Sequence, residues 1–321
     1  MMRISVTMAT YNGGRWLVEQ LDSLADQTRM PDELVVCDDG STDSTPDILR
    51  EFAGRAPFPV RIFIQPNRLG VTGNMQSAIA AADADVIAPC DQDDVWHPDK
   101  LELFEKAFAA EAELDMVFCD ADVVGEELEP MGYSLWDAVG FDVCARRRAR
   151  RDGLASILVK FNVVTGTAMA FASRRRDLIL PIPGEWLHDG WIGMLLAVAG
   201  RCKWIEKPLL AYRQHPHQQI GAANRSWRQQ IQVARKMDAA YFDCLARNFQ
   251  ECLERLQQRN ATISPKERKM LREKIEHCQA RRDMRHSALG KPIAVTRELL
   301  RCRYGRLSLG WKSVMQDLLL T

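Results

Sequence analysis

The residues best suited to chemistry are Cys90-Asp91-Gln92-Asp93-Asp94-Val95-Trp96. They follow the apolar run Val86-Ile87-Ala88-Pro89 and precede His97-Pro98-Asp99-Lys100, where a helix should start. A strand that ends in Asp-x-Asp aims two carboxylates at one point beyond a sheet edge. Such a pair supplies hard oxygen ligands for Mg²⁺ or Mn²⁺, and the ion in turn neutralises a diphosphate. The pattern alone is not specific, because Asp83/Asp85 and Asp120/Asp122 repeat it. Its place in the fold must decide.

The elements around it alternate. Ile4–Thr10 reads as a strand ending in Tyr11-Asn12-Gly13-Gly14, and Arg15–Asp26 has Trp16, Leu17, Leu21 and Leu24 at helical spacing. Leu34–Cys37 is a short apolar strand ending in Asp38-Asp39-Gly40-Ser41, where Asp38 can cap the turn with Ser41; Ser44-Thr45-Pro46 opens a helix. Val60–Ile64, Val86–Pro89 and Met116–Cys119 read as further strands, with helices over Thr72–Ala82 and Leu101–Ala112. Short, fully apolar strands alternating with helices predict an α/β fold with a mostly parallel sheet and helices on both faces. Ligands of such sheets bind beyond the carboxyl ends of the strands. Three of those ends carry unusual polar residues: Thr10-Tyr11-Asn12, Asp38-Asp39 and Asp91/Asp93.

The remainder is less regular. Residues 121–160 read as irregular and include the basic run Arg146–Arg151, either a solvated loop or an arm that meets phosphate or a lipid-linked acceptor. Asn162–Ala172 reads as a strand around Thr165-Gly166-Thr167. His188-Asp189-Gly190-Trp191 leads into an apolar helix, and Lys203–Ile205 and Leu209–Tyr212 read as two short strands. Beyond Gln218 the pattern is helical, near Ser226–Gln257, Pro265–His286, Lys291–Arg303 and Gly310–Leu320. Trp96, Trp186 and Trp191 are either sugar-stacking faces or core anchors.

The 321 residues suit one large domain, 1–220, plus a helical region, 221–321. The formal net charge is zero, yet residues 221–321 carry 21 Lys+Arg against 10 Asp+Glu, and residues 1–220 carry 22 against 33. The nine cysteines include no Cys-x-x-Cys pair and read as reduced, buried thiols of a cytoplasmic protein. Met1–Thr10 is strand-like rather than a signal peptide. The longest apolar run, Trp191–Gly200, is about half of a spanning helix. No Gly-x-Gly-x-x-Gly or Gly-Lys-Ser/Thr loop is present, which argues against dinucleotide dehydrogenases and P-loop enzymes.

Over roughly residues 3–220 the chain resembles the GT-A inverting nucleotide-sugar glycosyltransferases of family 2, and among them the bacterial rhamnosyltransferases of surface-polysaccharide synthesis. The matching stretches are Ser5–Asn12, Val35–Asp43, Asn67-Arg68-Leu69-Gly70, Cys90–Trp96, His188-Asp189 and Tyr212-Arg213-Gln214-His215. The Gln-x-x-Arg-Trp motif of processive synthases is missing. The resemblance implies a UDP- or dTDP-sugar donor held by Thr10, Tyr11, Asn12, Asp39, Asn67, Asp91, Gln92, Thr165 and Gly166. Asp39 would accept from N3–H of uracil or thymine, and Asp91 would meet the ribose or the metal. Asp93, Asp91 and His215 are the implied ligands of Mn²⁺ or Mg²⁺, which would act as a Lewis acid on the diphosphate; a purely structural His215 is the competing reading. Asp189 is the implied catalytic base, with helix N-capping as its other reading.

The implied activity is inverting transfer of a sugar, rhamnose before other hexoses, to a glycan or lipid-linked acceptor, with no nucleic-acid partner. A sugar-phosphate nucleotidyltransferase also uses paired carboxylates, but Thr10–Gly14 offers only Arg15 as the basic residue such enzymes need. A non-catalytic binding protein would be expected to lack Asp93 or Asp189. The basic helical region is expected either to touch the inner face of the plasma membrane or to pack on protein, including a second copy.

Overall fold

The computed structural model describes residues 2–216, 218, 232–286 and 290–319. Nine strands form one sheet: β1 (Ile4–Thr10), β2 (Glu33–Asp38), β3 (Val60–Ile64), β4 (Val86–Cys90), β5 (Val95–Trp96), β6 (Leu114–Val124), β7 (Pro130–Ser134), β8 (Met169–Ala172) and β9 (Arg201–Arg213). Their order is β3-β2-β1-β4-β8-β6-β9-β5, with β7 beside β6. The β3-β2-β1-β4 block and the β6–β9 pair are parallel, while β8, β5 and β7 pair antiparallel.

The helices are α1 (Leu17–Ala25), α2 (Thr45–Arg55), α3 (Gly70–Ala81), α4 (Lys100–Ala110), α5 (Leu135–Val139), α6 (Val143–Asp152), α7 (Ala155–Leu158), α8 (Arg176–Ile179) and α9 (His188–Ala199). Then follow α10 (Ala239–Gln258), α11 (Pro265–Asp283), α12 (Lys291–Leu300), α13 (Arg303–Leu307) and α14 (Trp311–Leu319). Alternate residues of β2 serve opposite faces. Leu34 and Val36 pack with Leu21 and Leu24 of α1 and Leu49 and Phe52 of α2, while Val35 and Cys37 pack with Ala78 of α3. Both faces of this strand are therefore covered, which is why it reads as an unbroken apolar run.

Several expectations are corrected. The two short strands near 203–205 and 209–212 are one strand, β9. Thr165-Gly166-Thr167 is not strand: Gly166–Ala168 is a 3-10 turn, and β8 starts only at Met169. The region 121–160 is not irregular but holds β7, α5, α6 and α7. The arginine run lies on α6 rather than a loop, started by Asp142, whose carboxylate accepts from Ala145 N at 2.8 Å. All nine cysteines are free, but Cys144 and Cys302 are exposed rather than buried. The expected helix from Ser226 lies partly outside the described residues, within which α10 begins at Ala239.

Two compact units emerge. The first takes the described residues up to Phe141, Val164–Leu196 and the described residues from Gly200 to Gln218; it contains the whole sheet. The second takes Asp142–Val163, Ala197–Ala199 and the described residues from 232 on. In the second unit, Phe242, Phe249, Cys252 and Leu256 of α10 and Leu271 and Cys278 of α11 are buried where these helices pack. Among the described residues no helix is long and apolar enough to cross a membrane.

Candidate active site

Strands β1, β2 and β4 are adjacent and parallel, with Thr10 beside Asp38 and Met8 beside Cys90. Their polar carboxyl ends therefore open on one sheet edge. Thr10 Oγ1 donates to Asp38 Oδ2 at 2.8 Å, and Ser41 N and Oγ donate to the same carboxylate at 2.8 and 2.6 Å. Asp38 thus closes its turn. The neighbouring Asp39 faces the other way and accepts from Leu69 N (2.6 Å) and Gly70 N (2.9 Å), where α3 begins. Each carboxylate oxygen has a second lone pair, so Asp39 retains acceptor capacity. Arg68 stacks its guanidinium 3.8 Å from the centroid of the Tyr11 ring, and Asn67 is exposed just before it.

Two expected nucleotide-sugar contacts also hold the site's own backbone. Gln92 pairs its side-chain amide with Tyr11, accepting from Tyr11 N at 2.9 Å and donating to Tyr11 O at 3.2 Å. Asn12, at φ 47°, accepts from Thr42 N through Oδ1 at 2.9 Å, while its own N–H donates to Ser41 Oγ at 2.8 Å. The first turn is thereby tied to the second and fourth strand ends.

The 91–94 turn gathers acid. Burial pushes the Asp91 carboxyl up to about 7, Asp93 and Asp189 add to the rise, and Lys100 opposes it. Burial, with Asp93 and Asp91, also raises Asp94. Three of the expected carboxylates, Asp91, Asp93 and Asp189, therefore share one field. His215 joins them: its Nε2 lies 2.9 Å from Asp93 Oδ2, and Trp16 stacks on its ring at 3.8 Å between centroids. The other Asp-x-Asp pairs are structural. Asp85 accepts from Arg3 N at 2.9 Å, and Asp120 from Trp136 N at 2.9 Å.

Asp189 is in the first turn of α9, whose N-cap is Leu187, so the capping reading is corrected. Its Oδ1 accepts from Gly190 N at 2.5 Å. Burial raises its pKa, opposed by His188 and by the amides of Gly190 and Gly166. His188 is 6% exposed, and neither ring nitrogen meets a hydrogen-bond partner. Burial lowers its pKa, with Asp189 opposing, so the ring is neutral at pH 7. A Cβ on Gly166 would lie 2.4 Å from His188 Nε2. Gly166→Ala is therefore expected to cost about 1–3 kcal/mol of stability and to reduce turnover by shifting the His188-Asp189 turn. Thermal denaturation beside a rate measurement checks both.

Some supporting residues escaped the sequence reading. Arg213, 1% exposed, donates from Nε to Asp93 O at 2.7 Å, and its guanidinium also reaches Glu126 O and Glu19; its backbone N donates to Asp94 Oδ1 at 3.1 Å. Lys100 is fully buried against the Trp96 ring and donates to Thr167 O; burial brings its pKa down to about 8. Trp96 and Trp191 are core anchors, with indole N–H groups spent on Thr167 Oγ1 (3.2 Å) and Ile179 O (2.7 Å). The one available signal was Arg213's place in the Tyr-Arg-Gln-His stretch.

For a divalent ion, the Asp91–Asp93 turn fits by its crowded carboxylates, whose mutual repulsion helps raise Asp91. Among the described residues no group of three or more His, Cys, Asp or Glu side chains is set for ligation. One or two carboxylates completed by substrate phosphates is the arrangement Mg²⁺-type ions adopt in nucleotide enzymes.

A mostly parallel sheet with acidic strand ends, extended by antiparallel strands, is the architecture of the GT-A fold of glycosyltransferases. The comparisons agree. The sequence model of glycosyl transferase family 2 matches residues 5–179, and the chain belongs to that family. An uncharacterised glycosyltransferase of Nostoc sp. is 32% identical over 67% of this chain and 65% of its own length. The chain thus spans somewhat under two thirds of that relative. The dTDP-rhamnosyl transferase RfbG of Shigella flexneri is 39% identical over 29% of this chain and 34% of its own length. Among solved structures, S. aureus TarS 1–349 with UDP-GlcNAc matches at TM-score 0.57 and 17% identity, covering 99% of this chain and 82% of that one. The mannosyltransferase PcManGT of Pyrobaculum calidifontis, with GDP-Man and Mn²⁺, matches at 0.55 and 18%, covering 99% and 85%. These likenesses establish the GT-A fold.

Proposed function

We propose that the protein is an inverting hexosyltransferase that moves a sugar from a UDP- or dTDP-linked donor to a glycan or lipid-linked acceptor in bacterial cell-surface polysaccharide synthesis, at the cytoplasmic side. The observation that carries this reading is the shared field of Asp91, Asp93 and Asp189 at one edge of a GT-A sheet. Rhamnose is the favoured sugar, supported by the resemblance of the motif stretches and by the partial match to the Shigella enzyme.

The roles follow from chemistry. Thr10, Tyr11, Asn12, Asn67 and Asp39 receive the nucleoside, and Asp39 accepts from the N3–H of uracil or thymine. Asp91 and Asp93, with His215, would hold Mn²⁺ or Mg²⁺. Bound there, the ion supplies Lewis-acid stabilisation of the departing diphosphate. Gln92 keeps the Tyr11 backbone in place, and Thr165 and Gly166 line the donor-sugar side. Asp189 removes the proton of the acceptor hydroxyl as that oxygen attacks the anomeric carbon from the face opposite the diphosphate. A good leaving group makes a second carboxylic acid unnecessary, so a single base suffices. A nucleotidyltransferase would need no base at Asp189, and a binding protein would not need the acid cluster.

A panel of nucleotide sugars with Mn²⁺ tests the reading. dTDP-rhamnose or a UDP-hexose at 100 times its Kd is expected to add about 2.7 kcal/mol of stability, and NMR of the product to show an inverted anomeric centre. Stabilisation by GDP- or CDP-sugars alone would remove the Asp39 assignment, and retention would remove the single-base mechanism.

A further inference from the structure

We propose that α12 and α14 form a peripheral binding surface for anionic lipid. This goes beyond the transfer reaction and does not depend on it. The inner sides of these helices meet in one buried cluster, Met284, Val295, Tyr304 and Val314. The other sides are laid out quite differently. On α12, Ile293, Arg297 and Leu300 recur at helical spacing, with Ile293 76% and Leu300 81% exposed. On α14, Trp311, Met315 and Leu319 do the same, at 73%, 50% and 67% exposure. Of the sixteen large hydrophobic side chains exposed among the described residues, seven lie between Ile293 and Leu319. Such a density of outward apolar bulk needs a partner.

The charges say which partner. Residues 290–319 contain only two acids, Glu298 and Asp317. Both are fully buried. Glu298 is held by His277 at 2.8 Å and Arg303 at 3.2 Å, and Asp317 by Arg281, Arg285 and the Tyr304 hydroxyl at 2.6–2.8 Å. Every acid of the segment points inward, whereas Arg297, Arg301, Arg306 and Lys312 are exposed, Arg301 lying 3.8 Å from Glu298 and Arg306 pairing with Glu273 of α11; with six cations against two acids, the segment stays positive. The outer surface is therefore apolar and positive, with no outward acid of its own. Two copies of this surface facing each other would bring like charges together. An anionic bilayer accepts both components: the phosphates meet the cations, and Trp, Ile, Leu and Met enter the headgroup boundary shallowly.

Flotation of the full chain with vesicles, no sugar donor present, tests this and reads nothing of the transferase reaction. The chain is expected to float with phosphatidylcholine vesicles containing 30% phosphatidylglycerol (about the composition of a strongly anionic leaflet) and to stay behind with phosphatidylcholine alone. Arg297→Gln with Lys312→Gln should lower the partition coefficient about fivefold per charge removed, and raised salt should do the same to the unaltered chain. Leu300→Ser with Trp311→Ser should also release it; both side chains are outward, so melting should be unchanged. Failure to float with the anionic vesicles at low salt overturns the proposal, as does flotation that neither variant weakens. A dimer in sedimentation that Leu300→Ser with Trp311→Ser dissolves would assign the surface to a second copy and overturn it too.

Discussion

Replacing Asp189 with Asn is expected to lower turnover by a factor of about 10²–10⁴, the range for loss of a general base, while donor binding stays as it was. The amide can still accept from Gly190 N, so the turn survives; what disappears is the ability to take a proton. Burial already lifts this carboxyl above the usual range. The sign for the unaltered enzyme follows. The base works only when ionised, so kcat falls as the pH drops through that raised pKa, and the acid limb sits at a higher pH than a free aspartate would give. The variant should lose this limb along with its rate. A single-turnover assay across pH, with donor affinity measured separately, checks both halves. Normal turnover in Asp189→Asn would leave the residue a structural one.

Asp93→Asn should abolish donor binding that depends on Mn²⁺ while leaving a folded protein. The side chain keeps its reach towards His215 but loses the charge that offsets a divalent cation. The unaltered chain is expected to gain about 2.7 kcal/mol from donor at 100 times its Kd; the variant should gain nothing when Mn²⁺ is added. EDTA should silence the unaltered enzyme to the same extent. Full activity in EDTA would sink the metal assignment for Asp93, Asp91 and His215 together, whereas loss confined to the variant would point to a direct contact with the donor.

What could be read in advance follows from where each element lies. β1, β2 and β4 are almost wholly buried; β4 and the middle of β2 read as plain apolar runs, β1 alternates apolar residues with small hydroxyls, and the acidic ends stand out. β9 carries Lys203, Glu206, Lys207 and Pro208, residues that discourage a strand. It tolerates the proline because Pro208 sits opposite Asp120, where the β6–β9 register shifts. Thr165 and Thr167 favour strand by type, but Gly166 opens a 3-10 turn between them, at a place where any side chain would meet His188. The α6 helix was legible in principle: Asp142 before it and Gly153 after it, at φ 92°, are ordinary start and stop signals masked by the density of arginines. The approach of His215 to Asp93 and the stacking of Trp16 join distant positions, and no local pattern encodes them. The family resemblance led to the fold and to the strand-end acids. It did not lead to the braces.

Those braces sort the positions for laboratory evolution of donor choice. Arg213 joins the 91–94 turn, Glu19 and the Glu126 carbonyl through one buried guanidinium, and Gln92 fastens Tyr11. A library at either position would disturb several segments at once and would mostly return unfolded or misaligned clones. Asn67 and Arg68 stand on an exposed loop at the same sheet edge; Arg68 stacks on Tyr11 and lies 3.8 Å from Asp39 Oδ2, contacts looser than those of the buried braces. If the proposed function holds, randomising that pair would sample new nucleoside contacts while leaving the braces intact, so the productive search space would be a short loop rather than the acid motif.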